Sequence, residues 1–253
     1  MWTEQSPALH FRVEGAGQND ALLLHEIGGS LASWDRLVAL AAPQFRLIRF
    51  DQRGFGLSEK PRSEYGLDDL ERDAERVLDA AGVRSRFAIC AAAGASAIAV
   101  RLALAMPDRV TGLVLCSPTL SMDDAARAQT KERAARVVAA GMAGIVDMAM
   151  ERMFPLPVRD EGFSEYRHRF LANDPVGFAL ANLALAGMEL PLEKVTCPVQ
   201  ILAGRHDIRP PELVAQVAER FARCEFRIIE DGAHVLPVQS PGAIMHALAR
   251  LIV

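Results

Sequence analysis

The chain has 253 residues, a length that accommodates one large domain with a full hydrophobic core. Hydrophobic residues make up 51% of the chain and charged residues 24%, which is ordinary for a globular protein. The formal net charge of −4 argues against nucleic acid or an anionic membrane as a partner, and no apolar run approaches the length of a bilayer span.

Short apolar runs alternate with helical periodicity along most of the chain. Strands are predicted at 8–14, 21–25, 46–51, 87–91, 110–116, 199–204 and 225–230, and helices near 33–42, 67–82, 94–106, 211–222 and 239–252. Most of these runs are almost continuously apolar, which is typical of parallel strands buried on both faces. This order predicts the α/β class, with βαβ units in a mostly parallel sheet and the strand at 8–14 antiparallel at its edge.

The stretch 120–194 departs from this alternation. It is rich in helix-forming residues and contains no strand-like run. A helical insertion between two strands, placed over their carboxyl ends, is typical of a lid. We therefore expect a core formed by 1–119 and 195–253, and a helical lid at 120–194.

Residues 87–100, with the sequence FAICAAAGASAIAV, have the order of a nucleophile elbow: an apolar strand, a turn of small residues and a helix. The nucleophile occupies the centre of a small-x-nucleophile-x-small motif. If Cys90 and Gly94 are the small residues, the nucleophile position is Ala92, which has no attacking atom. Ser96 lies one helical turn further on and does not replace it.

Two later strand ends carry an acid and a histidine. Asp207 follows the strand at 199–204, and His234 follows the strand at 225–230. Alone, Asp207 is as well explained as a cap for a helix starting near Pro211, and His234 as an ordinary loop histidine. Together, in the chain order nucleophile, acid, histidine, they indicate a catalytic triad in which the carboxylate orients the imidazole.

The loop 25–30, with the sequence HEIGGS, follows another predicted strand. Such a loop supplies one amide of an oxyanion hole and the residue after the nucleophile supplies the other, so we expect the amides of Ile27 and Ala93 in these roles. A glycine-rich turn before a helix is the structural alternative. Neither GxGxxG nor the Walker pattern is present, and no metal or other cofactor is expected.

These motifs resemble the α/β-hydrolase superfamily, whose D-x-R-G-x-G-x-S loop is matched by residues 51–58. The resemblance implies a central, mostly parallel eight-stranded sheet flanked by helices. The lid segments 152–155 (RMFP) and 173–179 (NDPVGFA) are most similar to the 3-oxoadipate enol-lactonase type. That type implies a small carboxylated lactone or enol ester as substrate, with Arg152 and Phe154 as candidate binding residues and a lid arginine as carboxylate partner, to be chosen among Arg127, Arg133, Arg136 and Arg152.

The chain departs from the family at two positions. The oxyanion loop has His25-Glu26 where the family usually has His-Gly, so both residues are candidates for contact with substrate, and Glu26 also for acid/base chemistry. The other departure is Ala92, where serine, or more rarely cysteine or aspartate, is usual; aspartate would imply a dehalogenase or an epoxide hydrolase.

Two functions follow from these features. The first is a hydrolase of small carboxylic esters, lactones or enol-lactones, disabled at its nucleophile, with a small molecule as partner and a homodimer left open. The alternative is a non-hydrolytic binding protein or a lyase that uses His234 and Glu26. The first seven residues lack the features of a signal peptide, and the cysteines lack metal-ligand spacing, so a cytoplasmic protein with reduced thiols is expected.

Overall fold

A computed structural model gives the structure of the protein for residues 1–155, 159–186 and 188–252. Its strands are β1 (Phe11–Glu14), β2 (Asn19–Leu24), β3 (Phe45–Phe50), β4 (Phe87–Ala92), β5 (Val110–Cys116), β6 (Val199–Gly204) and β7 (Cys224–Ile229). Its α-helices are α1 (Asp35–Ala41), α2 (Leu67–Ala80), α3 (Ser96–Ala105), α4 (Asp124–Ala140), α5 (Val146–Met153), α6 (Gly162–Leu171), α7 (Pro175–Ala186), α8 (Pro211–Ala218), α9 (Leu236–Gln239) and α10 (Pro241–Ala249). Strands and helices thus alternate as the sequence predicts.

All seven strands form one sheet in the order β1-β3-β2-β4-β5-β6-β7. Neighbouring strands are parallel except for β1, which pairs antiparallel with β3 at the edge. The prediction of a mostly parallel sheet is confirmed, but its expected eight strands are seven in the described part of the chain. The segment before β1 contributes a single bridge between Trp2 and His10, and Pro7 between them has no N–H to extend a ladder.

The side chains of β4 show why the sequences of these strands are almost continuously apolar. Phe87, Ile89 and Ala91 point to one face and pack in one hydrophobic core. Ala88, Cys90 and Ala92 point to the other face and pack in a second core with Trp34 of the segment before α1. Because both faces are covered by helices, no polar position is needed in the strand.

Helices α4 to α7, here called the lid helices, lie between β5 and β6 in the chain. They share a third core with residues of the main body, which include Phe55, Val235 and Val238. In lid helix α4, Arg133 donates to Asn182 of α7 at 2.6 Å. The hydrogen bond joins two lid helices to each other, and the shared core packs these helices against the main body.

None of the helices in the described residues is long and apolar enough to cross a membrane.

Candidate active site

The turn after β4 has its special backbone conformation at Ala93, not at Ala92. Ala93 has φ of 50°, in the left-handed region that non-glycine residues seldom adopt. It lines a cavity under the lid helices together with Gly94. Ala92 instead ends strand β4 in extended conformation, is 0% exposed and packs in the core with Cys116. A nucleophile elbow is a strained strand-to-helix turn with its central residue exposed to the cavity, so the elbow position is Ala93.

The assignment to Ala92 is therefore corrected by one residue. The run from Ala91 to Ala95 contains only alanine and glycine, so small-x-nucleophile-x-small fits both 90–94 and 91–95. The amide that follows the nucleophile position then belongs to Gly94 rather than to Ala93. A side chain on Gly94 would place its Cβ 2.9 Å from Leu185 of α7, a contact that glycine avoids.

The structure brings Asp207 and His234 together as the sequence predicts. His234 Nδ1 lies 2.9 Å from Asp207 Oδ1, although 27 positions separate the two residues in the chain. Asp207 follows β6 and His234 follows β7, and these strands are parallel neighbours in the sheet. Asp207 is fully covered at its side chain, while His234 lines the cavity. With Nδ1 bound to the carboxylate, Nε2 is the nitrogen left for a ligand.

The environment of Asp207 favours its charged form. Burial alone would raise the pKa of this carboxyl, but the charge and hydrogen bond of His234 and the hydrogen bond of the Arg209 amide hold the pKa below its ordinary value. The Arg209 amide donates to Oδ1 at 3.1 Å. An ionised carboxylate at this place orients the imidazole and stabilises its protonated form.

Gln239 of α9 supports the His234 loop and was not singled out from the sequence. Its Oε1 accepts hydrogen bonds from the amides of Ala233 and Val235, at 3.0 and 3.1 Å, on either side of His234. Its Nε2 donates to the carbonyl of Met153 at the end of α5, at 2.9 Å. The loop is thus fixed to a lid helix, and no sequence motif signals this role.

Of the predicted oxyanion loop, only Ile27 lines the cavity. Glu26 is buried behind the loop, where its Oε1 accepts from Ser33 and from Tyr166 of α6, each at 2.8 Å. His25 is also buried, packs edge-on against Phe55 and accepts from the amide of Gln52 at its Nε2. Neither residue forms part of the cavity wall, so the prediction that they contact substrate is not supported by their positions.

The cavity has a volume of about 440 Å³, within the range of small-molecule sites. Apolar side chains of the lid helices form much of its wall, with Phe170 and Phe178 facing Ile27. Phe154, a predicted binding residue, lies instead in the lid core, where it packs against Tyr166 with ring centroids 5.0 Å apart. Arg152, its neighbour in the predicted motif, does line the cavity.

The described part of the cavity wall is rich in positive charge, with four arginines and one acidic residue, Glu132. Glu132 pairs with Arg136 at 2.8 Å, so this charge is compensated. Arg127 is outside this cavity and lies near Asp124 and Glu189. Of the four lid arginines considered from the sequence, Arg133 and Arg152 remain as cavity residues without a carboxylate partner in the described chain.

Arg209 is a further cavity residue that the sequence analysis did not identify. It lies two positions after Asp207, and its guanidinium donates to the carbonyl of Pro118. Burial lowers the pKa of Arg209, and the charge of Asp207 partly offsets this effect. The sequence feature that could have identified Arg209 is its position in the same loop as Asp207, directly after a strand.

Comparison with known proteins agrees with the resemblance seen in the sequence. A family model described as the alpha/beta hydrolase fold matches residues 22–146. A 3-oxoadipate enol-lactonase from Acinetobacter baylyi is 26% identical, with 97% of this chain and 93% of that protein covered. A putative carbamate hydrolase from Azorhizobium caulinodans is also 26% identical, with 92% and 90% covered. The crystal structure of a hydrolase from Pseudomonas aeruginosa superimposes with a TM-score of 0.90 at 26% identity, covering 100% of this chain and 97% of that one.

Proposed function

Because this chain has the α/β-hydrolase fold, we propose that its cavity is a hydrolase site for small carboxylate-bearing esters, lactones or enol-lactones in which Ala93 occupies the nucleophile position. One observation carries the proposal. Ala93, in the left-handed turn after β4, lines the same cavity as His234, whose ring is held by Asp207.

The proposed roles follow from this arrangement for a chain with a hydroxyl at position 93. His234 would take the proton of that hydroxyl as it attacks the carbonyl carbon, and Asp207 would stabilise the resulting imidazolium. The amides of Ile27 and Gly94 are the proposed donors to the oxyanion. His234 would then give its proton to the leaving oxygen and activate water to release the acid.

With alanine at position 93, the covalent step has no attacking atom. Loss of the nucleophile of such a triad lowers turnover by about six orders of magnitude, because the triad residues act as a unit. We therefore propose that the chain binds substrates of this class and hydrolyses them at a negligible rate. The methyl group of alanine is no larger than the side chain of serine, so the cavity keeps the shape it would have with a serine at position 93.

The substrate class is supported by the charge of the lid wall. Arg133 and Arg152 face the cavity without carboxylate partners in the described chain, and guanidinium groups bind carboxylates through paired hydrogen bonds. The name of the Acinetobacter relative, an enol-lactonase, fits a carboxylated lactone. The carbamate hydrolase name of the second relative makes carbamates a necessary part of any substrate panel.

The test is the restoration of a hydroxyl. Ala93→Ser is expected to hydrolyse an aryl ester and at least one small carboxylated lactone, enol ester or carbamate several orders of magnitude faster than the chain with Ala93. Ala92→Ser is the matched control, since it adds the same hydroxyl one residue away inside the core, and it is expected to stay inactive. The double variant Ala93→Ser/His234→Ala should lose the gained activity. An inactive, folded Ala93→Ser protein would reject the proposal.

The second candidate is a non-hydrolytic binding protein or an acid/base enzyme such as a lyase. The observation favouring it is that Asp207 and His234 are paired although position 93 offers no nucleophile. His234 alone would act as the base, because Glu26 lies outside the cavity wall. Turnover by the Ala93 chain that His234→Ala abolishes would favour this candidate over the first.

A further inference from the structure

The cavity wall carries positive charge from two parts of the structure, the lid helices and the main body. Arg133 of α4 and Arg152 of α5 belong to the lid helices. Arg209 belongs to the loop between β6 and α8, on the main body, next to the acid and histidine of the site. Within the described residues none of the three is in an ion pair, whereas Arg136, also in the wall, is neutralised by Glu132.

The guanidinium groups have incomplete hydrogen bonding. Arg133 donates to Asn182, while its Nε is buried without a partner. Burial lowers the pKa of Arg133, and the charge of Arg152 lowers it further. Both side chains line the same cavity. The Arg209 guanidinium donates to the backbone carbonyl of Pro118, and the charge of Asp207 only partly offsets the effect of its burial. Arg133 and Arg209 are partly covered, whereas Arg152 is exposed. Covering a charge beside a cavity is costly unless a ligand anion compensates it.

We propose that the cavity binds dianionic ligands, specifically linear dicarboxylates and their esters, with one anionic group at the Arg133 and Arg152 pair and the second at Arg209. This inference rests on the proposed function, because it concerns the same cavity and restricts its ligands from carboxylate-bearing compounds to dicarboxylates and their esters. It adds a second anion site, beside His234, to the lid site from which the carboxylate-bearing class was inferred.

The placement of Arg209 gives it a defined effect on selectivity. Its backbone amide already binds Asp207, so the side chain starts from a fixed point next to the reacting groups. A ligand anion there would lie on the body side of the cavity while its other end contacts the lid. Two charge-assisted contacts bind a dicarboxylate more tightly than the monocarboxylate of equal chain length, which can use only one of them.

Binding can be measured directly on the chain as it is, because the free acids used as ligands contain no ester bond to hydrolyse. Titration calorimetry would compare succinate, glutarate and adipate with butyrate, pentanoate and hexanoate. We expect at least one dicarboxylate to bind ten times or more tightly than its monocarboxylate, since a hydrogen bond to a charged group accounts for about tenfold or more in affinity. Inorganic phosphate, with both charges on one centre, should lack this advantage.

Substitutions then assign the two sites. Arg209→Gln should reduce the affinity for the dicarboxylate to that for the monocarboxylate, with monocarboxylate affinity changed by less than about threefold. Arg133→Gln should weaken both ligands. The controls are Arg205→Gln, in the same loop but exposed and paired with Glu230, and Arg127→Gln, on the same helix as Arg133 but outside the cavity. Both should bind like the wild type.

The outcomes separate this inference from the proposed function. Equal affinity for both ligand classes, or an unchanged preference in Arg209→Gln, would overturn the dianion site even if Ala93→Ser hydrolyses esters. A preference that depends on Arg209, together with an inactive Ala93→Ser protein, would uphold the site and reject the hydrolase assignment. Retained monocarboxylate binding in Arg209→Gln shows that the variant is folded.

Discussion

Ala93 holds a backbone conformation that alanine adopts at a cost. For an L-residue the left-handed region costs about 1–2 kcal/mol, whereas glycine has no Cβ and enters it freely. We expect Ala93→Gly to raise the free energy of unfolding by about 1 kcal/mol. Ala92→Gly, in extended conformation within the sheet, should lower it by about 1 kcal/mol through lost packing and added chain entropy.

Urea unfolding of these two variants beside the wild type measures the difference. Position 92 is fully covered and position 93 is at the turn, so the signs of the two effects locate the strained residue. A stabilised Ala92→Gly together with a destabilised Ala93→Gly would contradict the assignment of the elbow to position 93. This test needs no substrate.

Single residues of the site differed in how well the sequence predicted them. Asp207 and His234 were found because each follows a recognisable strand, and parallel strands bring their carboxyl ends together. Ala93 was missed by one position because a run of alanines offers two registers and only the backbone angle separates them. Glu26 was assigned to the cavity from its place in the loop, but the direction of a side chain depends on packing, here against Ser33 and Tyr166.

Helix α6 and the turn after it are joined to the loop 25–30 on both sides of Ile27. Tyr166 donates to Glu26, and Asn173 donates to the carbonyl of Gly28, each at 2.8 Å. Glu26 is 1% exposed, and its Oε2 has no hydrogen-bond partner in the described part of the chain. The hydrogen bonds that its Oε1 accepts are therefore expected to contribute to stability. This pairing of a lid helix with the loop was not visible in the sequence, because 140 positions separate Tyr166 from Glu26.

Tyr166→Phe should therefore lower the free energy of unfolding by about 1.5–3 kcal/mol, as expected when a buried carboxyl group loses a donor. Tyr65→Phe is the matched control, because the hydroxyl of Tyr65 is buried and has no hydrogen-bond partner among the residues that the structure describes. Its removal should be neutral or slightly stabilising. Thermal and urea unfolding of both variants would measure this contrast, and equal destabilisation would show that the hydrogen bond to Glu26 contributes nothing specific.

At the level of elements, the sequence predicted the strands well and the lid helices only as a group. Continuous apolar runs between turns fix strands β2 to β7 within about two residues, since both faces of the sheet are buried. The lid helices pack against each other and also line the cavity. Their apolar residues therefore face several directions and follow a less regular pattern in the sequence. The edge of the sheet was also less predictable, because pairing before β1 depends on contacts that hydrophobic patterning does not encode.

Across the whole molecule, the charge around the cavity is opposite in sign to the net charge of the chain. The chain carries −4, yet the described wall of its cavity holds four arginines against one acid. The net charge gives no reason to expect a polyanionic partner, and composition did not indicate that a small anion would be attracted locally. Such local charge arises only when lid and body are folded together, which is why it was outside the reach of sequence analysis.

Folding also couples to pH through Asp207. Its pKa in the folded chain lies below the ordinary value of about 4, so on acidification the unfolded chain takes up this proton first. The stabilisation provided by the ionised carboxylate is complete above the unfolded pKa and is lost as the pH falls through the folded pKa. Asp207→Asn has no proton to bind at this position. The wild type should thus lose stability relative to Asp207→Asn between about pH 5 and pH 2, by at most about 1.4 kcal/mol per pH unit.

Urea unfolding of both proteins across this pH range measures the effect as the difference between their free energies of unfolding. The other titrating groups are common to both chains, so their contributions largely cancel in that difference. A difference that stays constant or widens in favour of the wild type on acidification would contradict a lowered pKa. Since the shift depends on His234, which follows a different strand from Asp207, its presence would show that the ends of β6 and β7 are assembled in the folded protein.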